Sequence, residues 1–250
     1  MEHIETDICI IGAGSGGLSI AAGAAQMGAR VVLIESAEMG GDCLNVGCVP
    51  SKALIAAAKH AHAMTTGAPF GIKPVTPDVD FGAVKDHVAR VIAAIAPVDS
   101  QERFEALGVR VIRARAKFTG PNEVVAGDFR ITARRYVVAT GSRPFVPPIP
   151  GADSVPYLTN ETIFADREKP EHLIVIGGGP IGMEMAQAHR RLGCQVTVVE
   201  GLKAFGNDDP ETAAIVLEQM RREGIEILEG AKVARIGGKS GAVNVEIEDG

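Results

Sequence analysis

Two cysteines five positions apart, Cys43 and Cys48, are the residues of this sequence best suited to chemistry. They lie in the segment Gly40–Lys52, which reads GGDCLNVGCVPSK. In a reducing compartment, a close cysteine pair is more often catalytic or metal-binding than a structural cross-link. A helix that starts at the pair would lower the pKa of a thiol and favour the thiolate, the form that carries out disulfide exchange. The pair therefore predicts thiol–disulfide chemistry.

A zinc site is the alternative interpretation of the pair. It would need two further ligands at metal spacing, and the nearby histidines His60 and His62 lie within a predicted helix. The spacing therefore disfavours zinc. The other cysteines, Cys9 and Cys194, lie in or beside apolar runs and are expected to be buried core residues. The histidines show no pattern of partners, so each is expected to lie on the surface or to be internally satisfied.

An internal repeat predicts the elements that would position cofactors around this pair. The first copy, Ile10–Glu35, reads IIGAGSGGLSIAAGAAQMGARVVLIE, and the second, Val175–Glu200, reads VIGGGPIGMEMAQAHRRLGCQVTVVE. Each copy has an apolar run, a G-x-G-x-x-G turn, a helical stretch, a second apolar run and a glutamate. The glutamate follows the first glycine by 23 residues in both copies. Two such copies predict two dinucleotide-binding βαβ units.

Each glycine of the repeated turn has a predicted role. The first permits the tight bend after the strand, the second lets the backbone approach a pyrophosphate, and the third lets the helix pack close to the strand. They are, in that order, Gly12, Gly14 and Gly17 in the first copy and Gly177, Gly179 and Gly182 in the second. The start of the following helix offers N–H groups to the phosphates. A tight βα turn without a ligand is the alternative for either copy.

The two glutamates that end the repeats indicate which nucleotides would bind. Glu35 and Glu200 lie where a carboxylate accepts hydrogen bonds from ribose hydroxyls. A carboxylate repels a 2′-phosphate, so Glu200 favours NAD over NADP, although the nearby Lys203 weakens this argument. Two modules imply two dinucleotides, as in a flavin enzyme that exchanges electrons with a nicotinamide. One module would then hold FAD and the other NAD(P)H.

The remaining pattern predicts an α/β fold with two Rossmann-like domains. The proline-rich segment Pro144–Gly151 indicates a stiff connection between domains, which divides the chain into a first domain at 1–148 and a second at 149–250. The helices expected between and after the repeats are Pro50–Met64, Phe81–Leu107 with a kink or break at Pro97, and Thr212–Glu223. The strands expected there are short runs within Val109–Val138, then Ile225–Leu228 and Val243–Glu248. The last residues, Glu248–Gly250, resemble a hairpin turn whose second strand is missing.

Composition excludes several classes of function. Hydrophobic residues make up 46% of the chain and charged residues 22%, which is ordinary for a globular protein and not for a disordered one. The net charge of −6, without a basic block, argues against nucleic-acid binding. No apolar run approaches the length of a membrane span, and the acidic first residues do not resemble a signal peptide. We therefore expect no membrane partner and a cytoplasmic location.

The cysteine segment resembles the GGxCxNxGCxPSK motif of the class I pyridine nucleotide–disulfide oxidoreductases, which include dihydrolipoamide dehydrogenase, glutathione reductase and mercuric reductase. The resemblance extends over essentially all 250 residues. It implies that Cys43 is the interchange thiol that meets substrate and that Cys48 is the thiol that faces the flavin. It also implies that Lys52 lies near the flavin and pairs with Glu184. Asp42 replaces a threonine common in the motif, and its charge is expected to raise the pKa of Cys43.

The resemblance also implies a set of cofactor contacts. The segment Arg135–Gly141, RYVVATG, is similar to the second FAD motif of the family, and Ala116 matches the position whose backbone meets the adenine. A plain edge strand is the alternative for Ala116. The FAD set is Gly12, Gly14, Ser15, Gly16, Gly17, Glu35, Ser36, Gly41, Asp42, Ala116, Thr140 and Gly141. The NAD set is Gly177, Gly179, Pro180, Ile181, Gly182 and Glu200.

The resemblance implies a three-layer ββα fold with the second domain inserted in the first, in a chain that covers about half of a family member. The C-terminal dimerisation domain, with its His–Glu proton shuttle, would lie outside this chain, and the full-length protein would be a homodimer. The implied reaction moves electrons between NAD(H), FAD, the Cys43–Cys48 disulfide and a dithiol or disulfide substrate. A mercuric reductase-like enzyme, or a nucleotide-binding module without turnover, is the alternative. A flavoprotein oxidase or monooxygenase would have no use for the cysteine motif.

Overall fold

The computed structural model describes residues 1–248. The chain divides into two compact units. The first unit comprises Met1–Pro50 and Ala89–Arg143, and the second comprises Ser51–Val88 and the chain from Pro144 onward. The turn predicted at the end of the chain involves Asp249 and Gly250, which lie outside the described residues.

The helices and strands follow the predicted α/β order. The helices are α1 (Ser15–Gln26), α2 (Gly41–Asn45), α3 (Cys48–Thr65), α4 (Phe81–Ile95), α5 (Gln101–Ala106), α6 (Pro180–Arg191) and α7 (Pro210–Arg222). The strands are β1 (Glu2–Ile11), β2 (Val31–Glu35), β3 (Arg110–Arg113), β4 (Ala116–Gly120), β5 (Glu123–Ala126), β6 (Phe129–Val138), β7 (His172–Ile176), β8 (Gln195–Glu200), β9 (Glu226–Glu229), β10 (Lys232–Lys239) and β11 (Ala242–Glu248). Short 3-10 turns lie at Ala68–Phe70, Ala96–Asp99 and Ala152–Ser154.

The first unit contains a sheet in the order β3-β2-β1-β6-β5-β4. Strands β3, β2, β1 and β6 run parallel, and β5 and β4 extend the sheet as antiparallel strands. Apolar side chains pack on both faces, with Ile10 and Leu33 in one cluster and Cys9 and Val32 in the other. Burial on both faces explains why Ile8–Ile11 of β1 and Val31–Ile34 of β2 are continuous apolar runs. Cys9 is fully buried, as predicted.

The second unit contains a parallel sheet in the order β7-β8-β9 and an antiparallel pair, β10-β11. Its core cluster joins Met183 and Ala186 of α6 to Val196 and Val198 of β8. Cys194, which directly precedes β8, is fully buried in this cluster, as predicted. Together β7, α6 and β8 form the second βαβ unit that the repeat predicts.

Strand β10 is missing from the sequence prediction. The glycines Gly237 and Gly238 lie within it, and glycine in a strand weakens the sequence signal for strand. The predicted strand at the end of the chain is present as β11, but its hydrogen-bonded partner precedes it in sequence.

The long helical segment is broken near Pro97, as predicted. Helix α4 ends at Ile95, a 3-10 turn follows, and the Ser100 hydroxyl accepts a hydrogen bond from Arg103 N at the start of α5. Within residues 1–248, no helix is both long enough and apolar enough to cross a membrane.

Candidate functional site

The two Gly-rich turns have the same backbone geometry. The φ angles of Gly12 and Gly177, +109° and +108°, lie in a region that side chains rarely adopt. A Cβ on Gly12 would lie 2.1 Å from the carbonyl oxygen of Ala139, so no side chain fits there. A Cβ on Gly17 would lie 1.9 Å from the oxygen of Gly12, and the matching distance from Gly182 to Gly177 is 2.5 Å. The first and third glycines therefore serve the turn and the helix packing as predicted.

The helices that follow the turns begin without a side-chain cap. Gly14 is the N-cap of α1 and Gly179 is the N-cap of α6, and both have extended backbone. A glycine cap offers no side-chain acceptor to the N–H groups of the first turn, and such groups attract anions. Gly179 faces open space. The cleft beside it in the second unit is lined by Gly178, Gly179, Glu200, Leu202, Lys203, Gly206 and Asn207.

The acids at the ends of β2 and β8 contact the turns directly. Glu35 accepts hydrogen bonds from Ala13 N at 2.6 Å and Ala37 N at 2.7 Å. Glu200 accepts hydrogen bonds from Leu202 N at 2.7 Å and Gly178 N at 2.8 Å. The donors are backbone N–H groups, which no residue type marks in the sequence, so these hydrogen bonds were not predicted.

The cysteine pair lies where one short helix ends and a longer one begins. Cys43 lies in α2 and Cys48 opens α3, and their side chains are joined by a hydrogen bond. Asn45 Nδ2 donates to Met39 O at 3.0 Å and to Gly41 O at 2.9 Å, which holds the short helix in place. Cys43 is half-buried and Cys48 is exposed. The predicted proximity of the two cysteines is therefore present.

The pKa of Cys43 is raised above its ordinary value, so the expectation that a helix start lowers the thiol pKa is wrong for this residue. The main cause is its hydrogen bond with Cys48, followed by burial, the negative charge of Cys48 and the charge of Asp99. The direction agrees with the prediction made from Asp42, but the carboxylate found to contribute is Asp99, and a contribution of Asp42 stays a prediction. Asp99 follows the break at Pro97 and is far from Cys43 in the sequence, so its effect on the pKa of Cys43 was not predicted. Within residues 1–248, no three His, Cys, Asp or Glu side chains are grouped as metal ligands would be.

The ion pair expected between Lys52 and Glu184 is present in the second unit. Lys52 Nζ donates to the two carboxylate oxygens at 2.6 and 2.7 Å. Lys52 lies on α3 and Glu184 on α6, 132 residues apart in the chain.

The other predicted FAD contacts gather around the first turn, with one exception. A Cβ on Gly41 would lie 2.7 Å from the Cα of Gly14, so these two backbones are in close approach. A Cβ on Gly141 would lie 3.9 Å from Asp42 Oδ2. The exception is Ala116, which begins β4, a strand at the edge of the sheet. An edge strand is the alternative interpretation of this residue. The remaining residues lie in the first turn of α1 (Ser15 and Gly16) or are exposed after β2 and β6 (Ser36 and Thr140).

The predicted NAD contacts lie at the start of α6. Pro180 is the first residue of the helix, where its missing N–H group costs no hydrogen bond. Ile181 follows with 67% of its surface exposed, which is unusual for a large apolar side chain. Both residues lie directly after Gly179, which lines the cleft.

A model of the pyridine nucleotide-disulphide oxidoreductase family matches residues 6–250. The chain belongs to this family. The pyridine nucleotide-disulphide oxidoreductase fold is shared by the HOCl-induced flavoprotein disulfide reductase RclA of Escherichia coli, solved as its Cu(II) complex. RclA superposes with a TM-score of 0.83 at 27% identity, over 98% of this chain and 53% of its own.

Relatives within the pyridine nucleotide-disulphide oxidoreductases include two kinds of enzyme. Mercuric reductase of Streptomyces lividans is 38% identical over 90% of this chain and 49% of its own length. Dihydrolipoyl dehydrogenase of Thermus scotoductus is 34% identical over 97% of this chain and 52% of its own length. The chain therefore spans about half the length of these curated relatives.

Proposed function

We propose that the protein containing this chain is an FAD- and NAD(H)-dependent disulfide oxidoreductase in which Cys43 and Cys48 form the redox-active pair. The observation that carries the proposal is the hydrogen bond between these two thiols. It brings the two side chains into contact, in the segment that carries the family motif. A flavoprotein oxidase would gain nothing from such a pair.

The first unit fits the pyrophosphate of FAD. The cradle is made of backbone, because Gly12 and Gly41 approach other backbone atoms too closely for any side chain. The uncapped start of α1 supplies N–H donors, and Glu35 lies at the end of the next strand. FAD, when bound, would supply the ring that carries two electrons between the nicotinamide and the disulfide. We assign the remaining contacts to Ser15, Gly16, Gly17, Ser36, Asp42, Ala116, Thr140 and Gly141.

The cysteines carry the exchange with substrate. The Cys43 thiolate attacks one sulfur of a substrate disulfide, forms a mixed disulfide and releases the first substrate thiol. The Cys48 thiolate then attacks the Cys43 sulfur and releases the second thiol. The products are a Cys43–Cys48 disulfide and two substrate thiols, so two electrons have passed to the substrate.

The second unit supports the NAD assignment. Gly177, Gly179 and Gly182 form the turn, and Glu200 lines the cleft beside it. A carboxylate there would repel the 2′-phosphate of NADP, which supports NAD. Lys203 lines the same cleft, so the preference for NAD rests on the fixed carboxylate. Domain boundaries at 1–148 and 149–250, a homodimeric full-length protein and a cytoplasmic location stay predictions that rest on the resemblance.

The exchange step can be tested with thiol reporters. Purified protein is supplied with NADH and a small aromatic disulfide, and thiolate release is followed by absorbance. We expect NADH-dependent release that falls at least a hundredfold in Cys43→Ser and in Cys48→Ser, while Cys194→Ser retains it. Equal rates in the wild-type protein and both pair variants would contradict the proposal.

A metal-ion reductase is the second candidate, because a mercuric reductase shares 38% identity with the chain. Mercuric ion is a soft cation that binds thiolates, and the exposed Cys48 and half-buried Cys43 offer two. Parallel assays with mercuric ion and with lipoamide distinguish the candidates. Nicotinamide oxidation with mercuric ion alone favours the metal reductase, and oxidation with lipoamide favours the disulfide enzyme.

A further inference from the structure

We propose that Glu200, and Glu35 in the first unit, are positioning residues that lock the Gly-rich turns in their nucleotide-binding shape before any nucleotide arrives. The inference rests on the proposed function, in which these turns bind FAD and NAD. It adds a role to the two acids beyond contact with ribose. That role is carried by hydrogen bonds within the protein.

Each carboxylate oxygen of Glu200 accepts a hydrogen bond from the backbone. Its Oε2 accepts from Gly178 N at 2.8 Å, and its Oε1 accepts from Leu202 N at 2.7 Å. Gly178 lies inside the turn and Leu202 lies in the loop after β8. The side chain therefore bridges the two segments that flank the cleft. Hydrogen bonds to a charged acceptor are among the stronger ones in proteins.

The first unit repeats the arrangement atom for atom. Glu35 Oε2 accepts from Ala13 N at 2.6 Å, and Oε1 accepts from Ala37 N at 2.7 Å. Ala13 occupies the same place in its turn as Gly178, and Ala37 the same place in its loop as Leu202. Two units that differ widely in sequence thus keep the same bridge, which argues that the turn requires it.

The loop after each acid also donates a backbone hydrogen bond to the second residue of the turn. Gly40 N donates to Ala13 O at 2.9 Å, and Phe205 N donates to Gly178 O at 2.9 Å. Gly40 has a φ of +85° and Phe205 a φ of +54°. A phenylalanine in this left-handed region is strained, and such strain persists only where the surroundings enforce it. The second residue of each turn is therefore held through both its N–H and its C=O.

The fixed carboxylate also bears on nucleotide choice. A glutamate held by two backbone donors cannot swing away from an incoming 2′-phosphate without losing both hydrogen bonds. Rejection of NADP is then a property of the nucleotide-free protein.

Glu200→Gln separates the positioning role from ribose contact. The amide keeps the shape of the carboxylate, but its nitrogen is a donor and cannot accept from the second backbone N–H. We compare the affinity of the wild-type and variant proteins for ADP and for 2′,3′-dideoxy-ADP by calorimetry. A positioning role predicts a loss of about tenfold or more for both ligands. A role through the ribose hydroxyls alone predicts equal affinities of the two proteins for the dideoxy ligand and would overturn the inference.

Amide hydrogen exchange in the nucleotide-free protein gives a second readout. We expect slow exchange at Gly178 and Leu202 in the wild-type protein and exchange at least tenfold faster at one of them in Glu200→Gln. Glu226→Gln, on the exposed face of β9, is the matched control and should change neither amide. Fast exchange at both amides in the wild-type protein would contradict the inference.

The experiments distinguish a failure of the proposed function from a failure of the positioning role. If the wild-type protein does not bind ADP, the nucleotide assignment fails, whereas the exchange rates still decide whether Glu200 holds the turn. If Glu200→Gln does not fold, Glu35→Gln is an independent second variant. Its effect is measured as the hydrogen-exchange rates of the Ala13 and Ala37 amides.

Discussion

Lys52 Nζ donates hydrogen bonds to both carboxylate oxygens of Glu184, at 2.6 and 2.7 Å. The two side chains keep 61% and 41% of their surface exposed. An ion pair so exposed contributes little to stability, because solvent screens the charges. Two long side chains held together in this way, on α3 and α6, are better explained by function than by folding.

Lys52→Met is therefore expected to separate stability from activity. The free energy of unfolding should change by at most about 1 kcal/mol, while NADH-dependent turnover should fall roughly tenfold or more. Urea unfolding and steady-state rates measure the two quantities. Arg222→Met, which breaks the exposed pair with Glu218 on α7, is the matched control and should leave turnover unchanged. A large loss of stability with normal turnover would refute a functional role of Lys52.

Removal of Cys48 is expected to make Cys43 more acidic. The hydrogen bond and the charge of Cys48 both raise the pKa of Cys43, and Cys48→Ala removes both. In the reduced protein, the midpoint of the pH dependence of Cys43 alkylation should therefore move to lower pH. Rates of reaction with iodoacetamide, located by mass spectrometry, give this midpoint. An unchanged or higher midpoint would show that Cys48 does not control the Cys43 thiol.

His189 is expected to make the protein less stable in acid. Burial lowers its pKa from 6.5 to about 4, although a hydrogen bond with Met185 O opposes the shift. Between these values the unfolded chain binds more protons than the folded chain, so the free energy of unfolding falls as the pH drops from 6.5 towards 4. The loss is of the order of 3 kcal/mol. Above pH 6.5 the contribution is complete.

Urea unfolding between pH 4.5 and 7.5 tests this dependence. His189→Gln should flatten the slope, whereas His172→Gln, at an exposed position of β7, should preserve it. Equal slopes in the wild-type protein and His189→Gln would assign the acid sensitivity to other groups.

Glycine substitutions are expected to have opposite effects at two positions of the first unit. Gly12→Ala places a Cβ 2.1 Å from Ala139 O at a φ of +109°, so the turn must distort and flavin should be lost on purification. Gly23→Ala, in the interior of α1, meets nothing within 4 Å and should stabilise the protein by roughly 0.5–1 kcal/mol. Flavin content and thermal unfolding give the comparison. A Gly12→Ala protein with full flavin content would contradict the backbone cradle.

The sequence predicted the parts of the fold whose signal is periodic. The spacing from Gly12 to Glu35 recurs from Gly177 to Glu200, and both βαβ units are present as predicted. The break at Pro97 was also predicted, since proline cannot continue a helix. Strand β10 was missed because glycines interrupt its pattern.

The sequence did not predict contacts that depend on folding. Asp99 raises the pKa of Cys43 although the two residues are 56 positions apart, and no local sequence pattern marks this interaction. The bridge from Glu200 to the backbone of the turn depends on N–H groups, which every residue except proline offers. Residue types alone suggested only the ribose contact, and the backbone geometry was needed to find the bridge.

An anaerobic NADH titration of the purified protein, followed by visible absorbance, tests whether the flavin is coupled to the Cys43–Cys48 pair. We predict a flavin spectrum and, on two-electron reduction, a long-wavelength band from a thiolate in contact with the flavin, which Cys48→Ser abolishes. Flavin that bleaches without this band would contradict the coupling of the flavin to the Cys43–Cys48 pair.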